Sequence, residues 1–435
     1  MTKDELKAIV CAAIDKRQKD ITALGDNIYT EPELGYKEHK TSAKVQAVFD
    51  KLGINYTTGW GITGVKGHLK GRTSKRTVAM LGELDALVCR NHPDADEETG
   101  AMHCCGHNVQ IANLAAIAMA FKDTNAMQYL DGDLVLFAVP AEECIEIDFR
   151  NTLRQKGKIK YLGGKEEIIA QGGFDDIDAS LQMHVNPTKK TNGEIQVAGS
   201  NNGFIAKIIE YKGKAAHAAF SPSEGINALN AAMLGIMAVN ALRETFKESD
   251  CVRFHSIINS GGDLVNVVPD YVQMESYVRA ASVDALKESN TKVNRALKAG
   301  ADAIGAKCII KDLPGYLPLF NNKGMSSLLR NNSTKLFAPA DVYDGTHSAG
   351  STDMGDVSHL MPVVHAWVGC VHGALHSAQY DLFDRNTAYS KSPKAMAMTI
   401  IDLLYDNAAE LETILAENTP IMTKKTYLEY MESIK

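Results

Sequence analysis

The stretch Asp133-Leu134-Val135-Leu136-Phe137-Ala138-Val139 reads as a strand, and it runs through Pro140-Ala141 into the paired carboxylates Glu142-Glu143. A Glu-Glu pair is ordinarily solvated surface, but one that follows directly from an apolar strand is out of place there. Other segments share this rhythm. Thr77-Val78-Ala79-Met80-Leu81 reads as a buried strand, residues 179–185 as another, and residues 362–368 as a late member of the same sheet. Residues 113–121, rich in Ala, Leu, Ile and Met, form a core helix, and a helix over about 391–405 covers the late strand. Strands separated by helices predict an α/β domain: a mostly parallel sheet with helices on both faces.

The middle of the chain alternates differently. Residues 203–211 are strand-like, 226–242 helical, 252–259 and 271–278 strand-like, 283–304 helical and 307–311 strand-like. That order, β-α-β-β-α-β, is the split arrangement of a ferredoxin-like α+β unit. The predicted organisation is therefore a larger domain built from 1–199 and 314–435, with the smaller unit, 200–313, inserted into it. Its hinges fall at 199–203 and at Leu313-Pro314-Gly315.

Composition narrows the function. The chain has 435 residues with a formal net charge of −7, and no long Lys/Arg block, so a nucleic-acid partner is not expected. The basic cluster at 66–75 is interrupted by glycines and reads as a solvated loop, as does the acidic run at 94–98. No apolar run is long enough to cross a bilayer, so no membrane partner is expected. The N-terminus lacks the features of a secretory signal, and Thr2 and Glu5 have the spacing of a capping box opening an amphipathic helix. The eight cysteines are dilute and several are set among apolar residues, which fits free thiols in the cytoplasm better than a disulfide scaffold.

In an open α/β sheet, ligands collect outside the carboxyl ends of the strands. Glu83, Asp85, Glu142, Glu143, His184 and His376 all lie at or beyond such ends. Met102-His103-Cys104-Cys105-Gly106-His107 adds a thiolate and an imidazole with a glycine between them. A thiolate, imidazoles and a carboxylate can neutralise two dications and leave a position for water. An adjacent carboxylate can then take the proton of that water. The residue types suit a metal-dependent hydrolase, with Glu143 on metal and Glu142 facing the water. A structural zinc site fits less well, since no Cys-x-x-Cys pair occurs.

These motifs resemble the metal-dependent aminoacylase and carboxypeptidase family, in particular its amidohydrolase branch of indole-acetyl-amino-acid, hippurate and aminobenzoyl-glutamate hydrolases. The resemblance rests on ordered motifs along nearly the whole chain. They include Pro32-Glu33-Leu34-Gly35, Gly82-Glu83-Leu84-Asp85-Ala86-Leu87, Cys105-Gly106-His107, Pro140-Ala141-Glu142-Glu143 and His184-Val185-Asn186-Pro187. Gly213-Lys214-Ala215-Ala216-His217-Ala218, Asn266-Val267-Val268-Pro269-Asp270, Gly350-Ser351-Thr352-Asp353 and Leu375-His376-Ser377 continue the series. Asn108 and Gln110 depart from the branch's usual Asp and second His. Asn108, Gly82-Glu83 and the run at 350–353 are most similar to the aminobenzoyl-glutamate hydrolase and β-alanyl-lysine dipeptidase subgroup.

The resemblance implies Cys105, His107, Glu143, His184 and His376 as ligands of two divalent ions (Zn or Mn), and Glu142 as general base and acid. It implies Asp85 as a residue orienting a ligand, and His217 on the inserted unit, a lid and dimerisation domain, as stabiliser of the oxyanion. In relatives that histidine often comes from the other subunit of a homodimer. Asn266 is placed to hydrogen-bond the same reacting centre. Arg279, on the polar side of an alternating strand, is a candidate clamp for a substrate carboxylate. The activity implied is hydrolysis of an N-acyl-amino acid, an aminobenzoyl-glutamate-like compound or a dipeptide by metal-bound hydroxide. The alternative is a metal-binding, non-catalytic partner subunit of a two-chain amidohydrolase, against which the retention of Glu142 with all five ligands argues.

Overall fold

A computed structural model gives the fold of residues 1–434, and the sheet that organises it follows from which strands are apolar throughout. Every residue of Asp133–Val139 is buried, as are all but the first of Thr77–Glu83 and all but the last two of Ala179–Pro187. Such strands must be covered on both faces and so lie at the centre of a sheet. They do: the spatial order is Asn55–Trp60, Gly64–Leu69, Asp133–Val139, Thr77–Glu83, Ala179–Pro187, Val363–His372, Glu194–Asn201. The four strands from Asp133–Val139 to Val363–His372 run parallel. The flanking strands are antiparallel, so the sheet is mixed at its margins.

The core helix is His107–Asp123, buried on every side from His107 to Phe121 and packed on Thr77–Glu83. Ser392–Leu404 is the covering helix, entered through a π-turn at Thr387–Lys391. The N-terminal helix Lys3–Lys16 opens with the Thr2–Glu5 capping box. One reading of the sequence is corrected here. The basic segment at 66–75 is not simply a solvated loop: its first part belongs to the strand Gly64–Leu69, and Lys66 is held by the Gly173 carbonyl at 2.8 Å and by Asp176 at 2.5 Å.

The chain divides into two compact units. The larger comprises residues 1–200, 320–346 and 356–424, and the smaller 201–319, 347–355 and 425 onward. The smaller unit carries a four-stranded antiparallel sheet in the order Arg253–Ser260, Tyr271–Ala280, Gly203–Lys212, Lys307–Pro314. The helices Ala228–Ala241 and Val283–Asp302 pack on each other and on this sheet. Along Tyr271–Ala280 the even-numbered residues are buried and the odd-numbered are not, the period of a strand with one face on a core. Among the described residues no helix is long and apolar enough to cross a membrane.

Candidate metal centre

Parallel strands deliver most of the donors. Thr77–Glu83 ends at Glu83 with Asp85 just beyond, Asp133–Val139 leads to Glu142 and Glu143, Ala179–Pro187 carries His184, and Val363–His372 precedes His376. Because these strands are parallel, their carboxyl ends share one rim. Cys105 and His107 arrive from the turn that opens the core helix. Gly106 sits there at φ 80°, and a Cβ on it would lie 2.3 Å from Val185 Cγ2, so both backbone and space require glycine.

The side chains converge. Cys105 Sγ lies 3.4 Å from His184 Nε2 and 3.3 Å from His376 Nε2, and His376 Nε2 lies 3.0 Å from Glu143 Oε1. His107 Nε2 lies 3.0 Å from Glu83 Oε2 and 3.8 Å from Glu142 Oε2. Three sets of possible metal donors overlap: Cys105, His107 and His184; Cys105, Glu143 and His376; Glu83, His107 and Glu142. The His376 side chain is 50% exposed, so the cluster opens to solvent on that side.

Backbone carbonyls set the histidine tautomers. His107 Nδ1 lies 2.8 Å from the Asp85 carbonyl and His184 Nδ1 2.8 Å from the Val185 carbonyl. A carbonyl only accepts, so each Nδ1 carries a proton and Nε2 is the nitrogen each ring can offer to a metal. Asp85 also brings Oδ1 to 3.2 Å from His107 Nδ1, and its Oδ2 accepts the Glu143 N–H at 2.8 Å. The loop bearing Glu142 and Glu143 is pinned from behind by the fully buried Arg150, which donates to the carbonyls of Ala141, Leu162 and Glu143.

The arrangement fits divalent metal. Two donors about 2.1 Å from one ion stand about 3.0 Å apart at right angles and about 3.4 Å apart at the tetrahedral angle. The contacts linking Cys105, His184, His376 and Glu143 all fall between 3.0 and 3.4 Å. His107 Nε2 and Glu143 Oε1 are buried and make no hydrogen bond. Donors set this closely can hold a cation between them.

The electrostatics agree. Burial opposes ionisation of Glu143, but His376 beside it holds the carboxyl down at about 2. Burial, reinforced by the neighbouring His107, pushes His184 down to about 4 and keeps it neutral. Burial and the Glu143 carboxylate push the Cys105 thiol well above its ordinary range. A dication reverses that last effect by displacing the thiol proton.

Cys105, His107, Glu142, Glu143, His184, His376 and Asp85 are thus brought together. His217, Asn266 and Arg279 lie in the smaller unit. His217 is exposed, and its Nδ1 accepts from the N–H groups of Ala219 and Phe220 at 3.2 and 3.0 Å, so its proton is on Nε2. Ala218 N–H donates to the Asn266 carbonyl at 2.9 Å, which makes these two segments neighbours. Arg279 donates to Ser351 Oγ at 2.9 Å and stacks on Phe204 and Tyr277. Sequence reasoning missed the buried partners of Glu83, namely Lys165, Gln110 and Gln182. Gln110 stood out only as a departure from a motif. Lys165, in Gly164-Lys165-Glu166-Glu167, looks like solvated surface and gave no signal.

Comparison with known proteins places this chain among hydrolases. Residues 79–398 match the model of peptidase family M20/M25/M40. The Xaa-Arg dipeptidase of Mus musculus is 27% identical over 425 residues, covering 93% of this chain and 90% of the relative. A dinuclear metal binding peptidase from the M20 family of Bacillus subtilis superposes with a TM-score of 0.67 at 20% identity, over 90% of this chain and 99% of that one. An aminobenzoyl-glutamate utilization protein from Klebsiella pneumoniae superposes with a TM-score of 0.66 at 17% identity, over 89% and 97%.

Proposed function

The chain belongs to peptidase family M20/M25/M40 and is a hydrolase, and from that membership we propose that it cleaves the amide bond of a dipeptide, an N-acyl-amino acid or an aminobenzoyl-glutamate-like compound. The observation that carries this reading is a carboxylate, Glu142, at the edge of the donor cluster, 3.8 Å from His107 Nε2. Cys105, His107, Glu143, His184 and His376 would hold two divalent ions, Zn or Mn. Those ions would supply an acidified water and polarise the scissile carbonyl.

The chain's own groups do the rest. Glu142 takes the proton of the attacking water and returns it to the leaving amine. Asp85 keeps His107 in its Nδ1-protonated form and fixes the Glu143 backbone. His217, with its proton on Nε2, donates to the developing oxyanion, assisted by Asn266. Arg279, already oriented by Ser351 and two aromatic rings, pairs with the carboxylate of the amino-acid product. The free cysteines suit a cytoplasmic location.

A homodimer through the smaller unit is part of this proposal. Its edge strand Arg253–Ser260 leaves Ile257 61% and Ile258 43% exposed, and the helix Ala228–Ala241 leaves Met233 52% and Met237 64% exposed. Apolar residues on an unpaired sheet edge invite a second copy.

Glu142→Gln tests the reading. Turnover of a dipeptide panel should drop by about 10²–10⁴ while two ions per chain are retained. Full turnover in the variant at unchanged metal content would refute the assignment.

A further inference from the structure

Glu83 has no part in the reaction just described, yet it is among the most elaborately held side chains in the molecule. It closes the strand Thr77–Glu83 and is 1% exposed. Its Oε1 accepts from Lys165 Nζ and Gln182 Nε2, both at 2.6 Å. Its Oε2 accepts from Gln110 Nε2 at 2.6 Å, and the Glu83 N–H donates back to Gln110 Oε1 at 3.3 Å. Lys165, Gln110 and Gln182 are themselves buried. Burying a lysine is costly unless its charge is matched. Here Lys165 Nζ is matched by the Glu83 carboxylate at 2.6 Å, inside a shell of amide donors.

What Glu83 faces makes this informative. His107 Nδ1 donates to the Asp85 carbonyl, which leaves Nε2 as the nitrogen available to an ion. That nitrogen lies 3.0 Å from Glu83 Oε2, is buried and makes no hydrogen bond of its own. Glu83, His107 and Glu142 place one donor atom each close enough together to hold an ion. The separation of Glu83 from His107 equals that of two donors at right angles on one ion, about 3.0 Å. Glu142 Oε2 lies farther off, at 3.8 Å from the same nitrogen. Of the two carboxylates, Glu83 is the nearer to His107.

We infer that Glu83 is a metal ligand, sharing an ion with His107, and that Lys165, Gln110 and Gln182 form the cradle that aims it. The inference rests on the metallohydrolase reading and adds a sixth donor to the five. Lys165 offsets the added charge, and the additional hard oxygen favours Mn²⁺ over Zn²⁺ relative to a site without it.

The test compares wild type with Glu83→Gln/Lys165→Met, which removes both members of the buried pair so that neither charge is stranded. Metal-free proteins are titrated with Mn²⁺ and Co²⁺, bound ions are counted by mass spectrometry, and the visible spectrum of the Co²⁺ form is recorded. Loss of one ion, or weakening of its binding by more than 100-fold, with a changed Co²⁺ spectrum, supports the inference. Weaker effects with an unchanged spectrum overturn it, because a residue acting only through His107 costs about 10–100-fold and leaves the ligand set intact. If the double variant does not fold, Glu83→Asp keeps the pair with Lys165 but draws the carboxylate back by one methylene, and the same two readouts apply. Wild type that binds no metal removes the metallohydrolase reading and this inference together. Two ions bound equally by wild type and variant removes this inference alone.

Discussion

Ala141 and His376 both sit in the left-handed backbone region, at φ 55° and 59°. For residues with a Cβ this costs about 1–2 kcal/mol each. The strain falls on the residue before the proposed base and on a proposed ligand, where surrounding contacts compensate it. One of those contacts is Glu38, fully buried, whose Oε1 accepts the Ala141 N–H at 2.8 Å and whose Oε2 accepts the Thr63 hydroxyl at 2.6 Å. Burial, and then the Asp85 carboxylate, raise Glu38 from 4.5 to about 7. The folded chain thus holds this proton more tightly than the unfolded chain. Between pH 4.5 and about 7 the unfolded carboxyl ionises first, so this group's contribution to stability falls as pH rises through that window. Glu38→Gln should remove the decline. Urea midpoints of the metal-free proteins at pH 5 and pH 8 check this; a wild-type decline no steeper than the variant's would contradict it.

At the scale of elements, much was legible because the signals are local. The strand Asp133–Val139 and the helix His107–Asp123 are apolar throughout and buried throughout. The strand Tyr271–Ala280 alternates as its sequence does. The hairpin of Asn55–Trp60 and Gly64–Leu69 was missed, since the outer strand is polar and largely exposed and carries no apolar period. Lys207 misleads in the opposite direction. It lies in the strand Gly203–Lys212, where a lysine suggests the solvent face, yet its side chain is 0% exposed. Nζ donates to Asp312 and Asn290 at 2.5 Å and to Asn294 at 2.6 Å. Such a pair is costly to break from one side. Lys207→Met, which strands the Asp312 charge, is predicted to destabilise the smaller unit by about 3–5 kcal/mol. Chemical denaturation monitored by hydrogen exchange in residues 203–314 checks it, and a loss below about 1 kcal/mol would count against a buried pair.

For the whole molecule, the decisive fact is that the proposed donors come from segments as far apart as Cys105 and His376, whose atoms nevertheless lie 3.3 Å apart. The parallel sheet does this by bringing distant strand ends to one rim. Assembly is the other question at this scale. A lysine in place of Ile257 puts a charge on the exposed edge of the smaller unit without touching its core. Sedimentation velocity should show wild type as a dimer and Ile257→Lys as a folded monomer. Wild type sedimenting as a monomer at tens of micromolar would sink the dimer proposal.

The amino-acid order alone determined the α/β class and the chemical types gathered at the strand ends, because apolar periodicity and motif order are properties of neighbouring residues. It did not distinguish among Glu83, Asp85, Glu142 and Glu143, four carboxylates at similar strand ends. The tertiary structure separates them. Asp85 turns back to the outer nitrogen of His107, Glu143 meets His376, Glu83 is locked against Lys165, and Glu142 lies 3.8 Å from His107 Nε2. A carboxylate's role depends on differences of less than 1 Å to partners remote in the chain, and only the packed fold sets those distances.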